Sequence, residues 1–379
     1  SVSVASQAAQ YLVEKGSPEI FEELKKLCEQ KTLPWQVRCL VFESALRHVP
    51  YFMMLTRNEL LYKVRGMIAA SKNPYEKAGY IRALSSHTSD LNTIIAMSGP
   101  KAADYVNTTI AECIEKILDR SDFNTVFKGS LNPVYPSLAR YFEDQCKTGN
   151  PGSLAVMSSI FKNKRPLIEK YFNADSMLTL ARQKLSLPRD IETYNELTKC
   201  IAKRNKSSFL PVTPAYNHPI DWTVLEPYGD TIAVKLITNK GDISLDLYPA
   251  YAPGSVSNFI KLAKDGFYKD KFFHRVVPNF VVQAGCPRGD GYGSLDYSIR
   301  TEISSLNFME SGLVGMASAG ANTECTQFFI THSPAPHLDG NYTIFGKIAS
   351  GNDVLESIYQ GDSIQNIEII DKQIKTTNK

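Results

Sequence analysis

The first 205 residues carry apolar side chains at intervals of three and four positions. One such run contains Ile20, Leu24 and Leu27, which would share one face of an α-helix. Proline follows a turn-favouring residue at several points, as at Asn73-Pro74, and a proline in the first helical turn costs no backbone hydrogen bond. Residues 1–205 are therefore predicted to form α-helices joined by short turns.

Two architectures fit this all-α region, a compact helical bundle and a stack of helical hairpins. The distance between helix starts, for example from Pro34 to Pro74, is close to the roughly 40 residues of a HEAT-type unit. We favour the stack, which would resemble a HEAT or armadillo array.

Residues 206–230 differ in composition from both flanks. They contain the aromatic residues Tyr216 and Trp222. Their prolines are Pro211, Pro214, Pro219 and Pro227. A proline-rich stretch favours an extended chain, and we predict a connector that its aromatic side chains hold against a domain.

From residue 231 the period of apolar positions changes from 3.6 to two. Thr231–Thr238 alternates as a strand, residues 239–242 supply a turn, and Ile243–Leu247 returns as a second strand. Further strands are predicted at residues 272–277, 280–284, 313–318, 327–331 and 343–348, with helices at 255–264 and 352–359. Many short strands and two helices indicate a closed antiparallel β-barrel over residues 231–372.

Charge adds an asymmetry that the net value of +3 hides. Residues 1–210 carry 29 Lys and Arg against 21 Asp and Glu, whereas residues 211–379 carry 13 against 18. The basic residues of the first part are dispersed, so we interpret them as solvated helix faces and expect no nucleic-acid partner. No apolar run approaches the roughly 18 residues of a membrane-spanning helix, and none is predicted.

Cysteine usage argues against disulfides and metal. The cysteines are Cys28, Cys39, Cys113, Cys146, Cys200, Cys286 and Cys325. An odd number without Cys-x-x-Cys pairs fits neither a disulfide framework nor a zinc site, so we expect buried thiols, no metal and no cofactor.

The chain begins Ser1-Val2-Ser3, without Met and without a basic-then-apolar leader. We expect either that a targeting segment has been removed or that the chain is part of a longer one. The compartment stays open between the cell envelope or periplasm, if a leader was removed, and the cytoplasm.

Three sequence blocks in the C-terminal part point to a specific chemistry. Residues 273–285 read Phe-His-Arg-Val-Val-Pro-Asn-Phe-Val-Val-Gln-Ala-Gly. Residues 315–320 read Gly-Met-Ala-Ser-Ala-Gly and are followed by Gln-Phe-Phe-Ile at 327–330. Residues 337–346 read His-Leu-Asp-Gly-Asn-Tyr-Thr-Ile-Phe-Gly. In this order and spacing the blocks resemble the cyclophilin family of peptidyl-prolyl cis/trans isomerases.

The resemblance implies a role for each matching position. Arg275 corresponds to the family's catalytic arginine and Gln283 to the amide that positions the substrate carbonyl. The implied substrate-binding residues are Phe280, Val281, Ala317, Ser318, Gln327, Phe329, His337, Leu338 and Tyr342. A secondary pocket beside the proline site is assigned to Tyr292, Glu324 and Thr326. His274 is interpreted as a structural residue, because it points away from Arg275.

Strand alternation, independently of the resemblance, separates residues that would line a groove from residues that would fill the barrel. Residues two apart in a strand share a side, so Val281 and Gln283 point together. Phe329 points away from Phe328 and Ile330 by the same rule. One set would line a groove and the other would fill the barrel, giving a shallow apolar site without a nucleophile or metal ligands.

Isomerisation of an X–Pro bond suits such a site, because no covalent bond is cleaved. The barrier of roughly 18–20 kcal/mol arises from amide resonance, which is lost when the bond twists. An apolar pocket for the ring and one cationic donor aimed at the prolyl nitrogen would favour the twisted amide.

Four positions depart from the family's pattern. Val281 stands where the family usually has Met, Ser318 replaces Asn, His337 replaces Trp and Tyr342 replaces His. In the family, binding of the drug cyclosporin depends on the hydrogen-bond donor of the Trp indole. We therefore expect this chain to bind cyclosporin weakly and to remain catalytically active.

The secondary pocket suggests a substrate preference. Tyr292 would narrow its mouth and Glu324 would add negative charge, so small or basic residues are expected two positions before proline. The alternative is that Tyr292 turns into solvent and gates nothing.

The resulting interpretation is a prolyl isomerase that acts on proline-containing polypeptides and assists folding, with the helical region as a platform for clients or a protein partner. The rival is a module that binds proline-containing segments without catalysis. The presence of both Arg275 and Gln283 favours the enzyme.

Overall fold

The computed structural model describes three stretches of the chain, residues 2–128, 134–216 and 218–370. The chain forms two compact units, one made of residues 1–184 and 196–210 and the other of residues 185–195 and 211–379. Most of the predicted connector, residues 211–230, thus groups with the C-terminal part, and so does the short segment 185–195.

The N-terminal part is α-helical, as its apolar spacing predicts. The helices are α1 (Val2–Lys15), α2 (Phe21–Cys28), α3 (Trp35–His48), α4 (Met54–Ala70), α5 (Pro74–Leu84), α6 (Leu91–Ile95), α7 (Asp104–Leu118), α8 (Phe123–Val126), α9 (Val134–Thr148), α10 (Pro151–Phe161), α11 (Pro166–Glu169), α12 (Ala174–Lys184) and α13 (Ile191–Arg204). Helix α3 packs against α1 and α5, α5 packs against α7, and α7 packs against α10. This succession of neighbours is typical of stacked hairpins rather than of a bundle around one core.

Proline-marked helix starts have a simple structural basis. Pro74 and Pro151 lie in the first turns of α5 and α10, each preceded by a capping asparagine. The Asn73 side chain accepts a hydrogen bond from the Tyr75 N–H at 2.8 Å, and Asn150 accepts one from the Ser153 N–H at 3.1 Å. Each cap satisfies a backbone donor that has no partner within the helix.

In the second unit, the described residues form one antiparallel sheet. Its strands are β1 (Ile232–Thr238), β2 (Gly241–Leu247), β3 (Arg275–Val277), β4 (Val281–Ala284), β5 (Leu313–Met316), β6 (Phe328–Thr331), β7 (Ile344–Ser350) and β8 (Ile364–Ile370). Their order is β3-β4-β6-β5-β7-β2-β1-β8. The sheet is closed by the residues before β3, because Phe272 pairs with Ser363 and the Phe273 N–H donates to the Asp362 carbonyl at 2.8 Å.

Two longer helices accompany this barrel, as the sequence predicts. Helix α15 (Pro253–Lys264) begins two residues before its predicted start, and α16 (Asn352–Ser357) ends two residues before its predicted end. The barrel core joins the inward side chains of the strands to Val256, Phe259 and Ile260 of α15.

Strand β8 is absent from the sequence prediction, for a physical reason. Its register with β1 shifts between Ile237 and Thr238, and this irregularity breaks the alternation of buried and exposed positions. Buried Ile364 and Ile367 are therefore three residues apart instead of two or four.

The connector contacts the barrel differently from the prediction. Trp222 is 59% exposed and Tyr216 is 49% exposed, so neither is the main anchor. Leu225, in the short helix α14 (Trp222–Leu225), is buried in the barrel core instead. His218 stacks on Tyr297 with ring centroids 4.0 Å apart.

Within the described residues, none of the helices combines the length and apolar character needed to cross a bilayer. In the same residues, no group of three or more His, Cys, Asp or Glu is placed to hold a metal ion. The seven cysteines are buried thiols.

His274 makes the stability of the barrel dependent on pH. Its side chain is buried, and burial lowers its pKa from 6.5 to about 4. The unfolded chain binds a proton near pH 6.5 while the folded chain does not, so stability is complete above that pH and falls as the pH drops towards 4.

We predict that His274→Gln flattens this acid dependence. The wild-type barrel should lose up to about 3 kcal/mol between pH 7 and pH 4 through this group, and the variant should not. Calorimetric Tm values of the barrel transition across this range measure the difference. Parallel Tm curves for the two proteins would contradict the assignment.

Candidate active site

The site is organised by one row of residues across four strands. Arg275 on β3 lies opposite Gln283 on β4, Gln283 lies opposite Phe329 on β6, and Phe329 lies opposite Gly315 on β5. Residues paired across antiparallel strands share a face of the sheet. The row therefore joins a cation, an amide, an aromatic ring and a position without a side chain.

Gly315 is required by the packing of this row. A Cβ atom at residue 315 would lie 2.4 Å from the Phe329 Cζ atom, which is closer than atoms can approach. The Phe329 ring consequently lies over the β5 backbone, where any larger residue would displace it.

Strand alternation separates the groove from the barrel core, as predicted. Val282, Phe328 and Ile330 belong to the barrel core. Val281 and Phe329 belong to a second cluster on the opposite face. That groove cluster consists of Val281, Phe308, Leu313, Phe329, Ala335, Leu338 and Ile344, with Phe280, Leu306, Ala317 and Tyr342 packed against it.

Aromatic side chains form the rim of the groove. The Phe280 and His337 rings are 5.2 Å apart, and the Phe329 and Tyr342 rings meet edge to face at 5.8 Å. The exposed Arg275 places its guanidinium carbon 5.8 Å from the Phe280 ring centroid. This cation–π contact holds a charge beside apolar surface.

Gln327 fixes the orientation of the amide in the row. Its Nε2 donates to the carbonyl oxygens of Gly291 and Gly293, both at 2.8 Å. Carbonyls accept only from the nitrogen end of an amide, so the Gln327 oxygen is left to accept from Gln283 Nε2 at 3.0 Å. One N–H of Gln283 is thereby used, and its second N–H is not needed for this contact.

Residues 288–293 form a glycine-rich loop, which is folded around the buried carboxylate of Asp290. The Asp290 side chain accepts from Arg288 at 2.9 Å and from the Tyr292 N–H at 3.0 Å. Gly289 and Gly291 adopt positive φ angles of 72° and 88°, which favour glycine. These contacts shape the loop that carries Tyr292.

A side pocket adjoins Gln283 and Gln327 and has a volume of about 190 Å³. Tyr292, Thr326 and the neighbouring Cys325 line it, together with the Ala317–Ala319 segment. Two of the three residues predicted for a secondary pocket are thus brought together here.

Glu324, the third predicted residue, does not line this pocket. Its side chain is fully buried and accepts hydrogen bonds from the hydroxyls of Thr301 at 2.8 Å and Thr343 at 3.3 Å. Burial raises the pKa of this carboxyl group. The expected negative charge at the pocket mouth is therefore absent from this position, because Glu324 braces the loop from inside.

Sequence reasoning missed part of the site. Phe308 and Leu313 underlie the groove, and the Phe308 ring stacks on Phe329 at 5.7 Å. The apolar pair Leu306 and Phe308, isolated in a polar loop, was the available signal. Residues 188–193, which line the side pocket, carry no comparable signal.

The titratable groups near the groove are unsuited to covalent chemistry. Burial raises the pKa values of the Cys286 and Cys325 thiols, which keeps both protonated. Burial also lowers the pKa of His274 and so keeps its ring neutral near pH 7. What remains is an apolar surface flanked by one exposed cation and one oriented amide, an arrangement suited to noncovalent catalysis.

Comparison with known proteins identifies cyclophilin-type isomerases as similar to the C-terminal part of this chain. The family described as "Cyclophilin type peptidyl-prolyl cis-trans isomerase/CLD" matches residues 233–378. Peptidyl-prolyl cis-trans isomerase B of Bacillus subtilis is 44% identical over 135 residues, which are 35% of this chain and 94% of that protein. A Cryptosporidium parvum cyclophilin-type isomerase structure is similar at 33% identity and a TM-score of 0.36, covering 38% of this chain and 99% of that one.

One relative extends beyond the barrel. Peptidyl-prolyl cis-trans isomerase 9 of Schizosaccharomyces pombe is 34% identical over 229 residues, which are 59% of this chain and 36% of that protein. That stretch is longer than residues 233–378, so it includes part of the remaining chain. By the family match and by the 44% identity to the Bacillus subtilis protein, the chain belongs to the cyclophilin-type peptidyl-prolyl cis-trans isomerase family.

Proposed function

We propose that the barrel isomerises X–Pro bonds in proline-containing polypeptides, with Arg275 stabilising the twisted amide. The observation that carries this proposal is the row formed by Arg275, Gln283 and Phe329. It combines a donor, a positioning amide and an apolar surface on one face, which are the parts that amide rotation requires.

Rotation about the X–Pro bond breaks amide resonance, and the prolyl nitrogen regains its lone pair at the transition state. A guanidinium that donates to this nitrogen interacts more strongly with the twisted amide than with the planar one. The difference lowers the barrier without any bond being cleaved. Arg275 is suited to this role because it is exposed and held beside Phe280.

Gln283 would position the substrate carbonyl. The hydrogen bond to Gln327 orients the Gln283 amide. One N–H of Gln283 is used in this bond, and the other can donate to a substrate carbonyl oxygen in the groove. The proline ring would pack on the groove cluster, against Phe329 and Leu338, with Phe280 and Tyr342 at its edges. Ala317 and Ser318 would border the peptide backbone.

The rival function, binding of proline-containing segments without catalysis, needs the apolar groove but not the cation. An arginine that is exposed yet placed in register with Gln283 is better explained by a catalytic role. The two functions separate when Arg275 is removed, because binding would persist and catalysis would not.

We predict that Arg275→Ala lowers kcat/KM at least about 100-fold, roughly 3 kcal/mol, with the fold unchanged. Arg275→Lys should recover only part of the loss, since it keeps the charge without the planar fork. Lys269→Ala, which removes an exposed cation from a turn, is the matched control. A protease-coupled assay on a short proline peptide measures all three, and a loss below threefold for Arg275→Ala would exclude the proposed role.

We predict weak inhibition by cyclosporin and recovery on His337→Trp. His337 is exposed beside Phe280, so a larger ring can be accommodated there and would restore both bulk and an N–H donor. Activity of the variant on a short peptide should stay within about twofold of wild type, because the groove cluster is untouched. Titration of both proteins with the drug measures the shift, and tight binding by the unmodified protein would contradict the role given to His337.

The helical region is proposed to hold clients and so to assist folding. Its support is an exposed apolar face, since Tyr51 is 84% exposed, Leu55 is 81% exposed and Tyr62 is 79% exposed. Leu55 and Tyr62 are seven residues apart in α4 and therefore share a side of that helix. Exposed apolar clusters of this kind often mark sites of protein contact.

We predict that the double substitution Leu55→Ser and Tyr62→Ser slows proline-limited refolding of a protein substrate about threefold or more. Catalysis on a short peptide should not change, because a peptide engages only the groove. Lys26→Ser together with Lys72→Ser, which replaces two exposed polar positions of the same region, is the control. Equal refolding rates for both double variants and wild type would exclude this face as the platform.

A further inference from the structure

The groove continues into an open cleft with a volume of about 860 Å³, which we call the outer cleft. Four residues of the groove also line this cleft, namely Ser318, His337, Leu338 and Tyr342. The segments that contain Arg300, Asn322 and Asn341 supply much of the remaining lining. A peptide whose proline lies in the groove would therefore place nearby residues against the outer cleft.

Arg300 gives the outer cleft a positive charge. With histidine counted as neutral, it is the only charged residue among the described residues that line the cleft. Its side chain is exposed, and within the described part of the chain its guanidinium takes part in no hydrogen bond or ion pair. The nearest carboxylate along the sequence, Glu302, accepts instead from the N–H groups of Gly254 and Ser255, at 2.8 and 2.9 Å. The charge of Arg300 is thus available to a ligand.

The backbone on both sides of Arg300 is held in place. The Ile299 N–H donates to the carbonyl oxygen of Glu324 at 2.9 Å. The Thr301 N–H donates to the side-chain oxygen of Asn322 at 3.0 Å, and the Asn322 N–H donates to the Thr301 hydroxyl at 2.6 Å. A cation on an anchored backbone loses less conformational freedom when it binds a ligand than one on a mobile segment.

The connector adds a residue to the outer cleft. Tyr216 lines it, although the part of the chain that matches the family begins only at residue 233. The stack of His218 on Tyr297, with ring centroids 4.0 Å apart, fixes the connector close to this point. Tyr216 is about half exposed, and its hydroxyl is a hydrogen-bond donor. The cleft thus combines a cation from the barrel with a hydroxyl from outside the family's domain.

We propose that the outer cleft is a substrate subsite in which Arg300 selects an acidic side chain close to the proline of the client. The inference rests on the proposed function, in which a proline-containing polypeptide lies in the groove. A guanidinium binds a carboxylate through two parallel N–H···O hydrogen bonds, and the Tyr216 hydroxyl supplies a further donor. Because the pair is exposed to solvent, its effect on affinity is a few-fold.

Six pairs of short peptides with one proline test the proposal on the full chain. In each pair Glu or Gln stands two, three or four positions before or after the proline, and all other residues are identical. At low ionic strength we expect the wild type to prefer Glu over Gln about fivefold in kcat/KM at one or more positions. Raising the salt concentration to about 0.5 M should move this ratio towards one.

Two variants of Arg300 and one control identify the source of the preference. Arg300→Gln should reduce the Glu-to-Gln ratio towards one, and Arg300→Glu should reverse it. Because the ratio is taken within each protein, a general loss of activity in a variant cancels. Lys269→Glu, the same charge change at an exposed position of the turn after α15, should keep the wild-type ratio. A wild-type ratio below about twofold at all six positions, or a ratio that Arg300→Glu leaves unchanged, overturns the inference. An equal change caused by Lys269→Glu overturns it too.

Arg275→Ala separates this inference from the proposed function. The variant should lose catalysis on every peptide and still bind the labelled Glu and Gln peptides with the wild-type ratio of Kd values, measured by fluorescence anisotropy. If the wild type isomerises none of the peptides, the proposed function fails while the Kd ratio still decides the inference. Equal Kd values for the Glu and Gln peptides at every position then overturn it.

Discussion

The antiparallel pairing of β4 and β6 is the constraint on which the rest of the second unit depends. These strands are apolar on both faces, so each must bury one set of side chains in the barrel and still cover the other. The inner set joins the barrel core, and the outer set builds the groove cluster. A shift of the pairing by one residue would exchange the two sets and destroy core and groove together.

The polar part of the groove depends on the same pairing through Gln327. It lies just before β6, and its amide bonds both to Gln283 on β4 and to the carbonyls of Gly291 and Gly293. One side chain thus orients the amide of the row and holds the loop that carries Tyr292. Buried Glu324 performs a comparable task three residues earlier, where its hydrogen bonds with Thr301 and Thr343 brace the chain. Preorganised polar groups of this kind need no rearrangement during a reaction.

The periodicity of apolar residues predicted most of the helices and strands. It failed where the pairing between strands is irregular. The helices of the first unit and the alternation of Val281, Gln283 and Phe329 follow from spacing alone. Strand β8 does not, since a register shift disrupts its pattern. The family resemblance assigned Glu324, together with Tyr292 and Thr326, to the secondary pocket, but Glu324 is buried elsewhere. Its burial depends on two threonines about twenty residues away in either direction, and this long-range pairing leaves no trace in spacing.

Residues 188–193, which line the side pocket, show the same limit on a larger scale. Strand pairing constrains the row of Arg275, Gln283 and Phe329, because it ties each member to its neighbour. It does not constrain the sides of the groove, which loops and preceding segments supply. Residues 188–193 were read as part of a helical region, and their spacing does fit the start of a helix. Only the folded chain brings their charges beside Tyr292 and Thr326. The groove thus depends on local strand pairing, whereas one side of the adjoining side pocket depends on a contact between distant parts of the sequence.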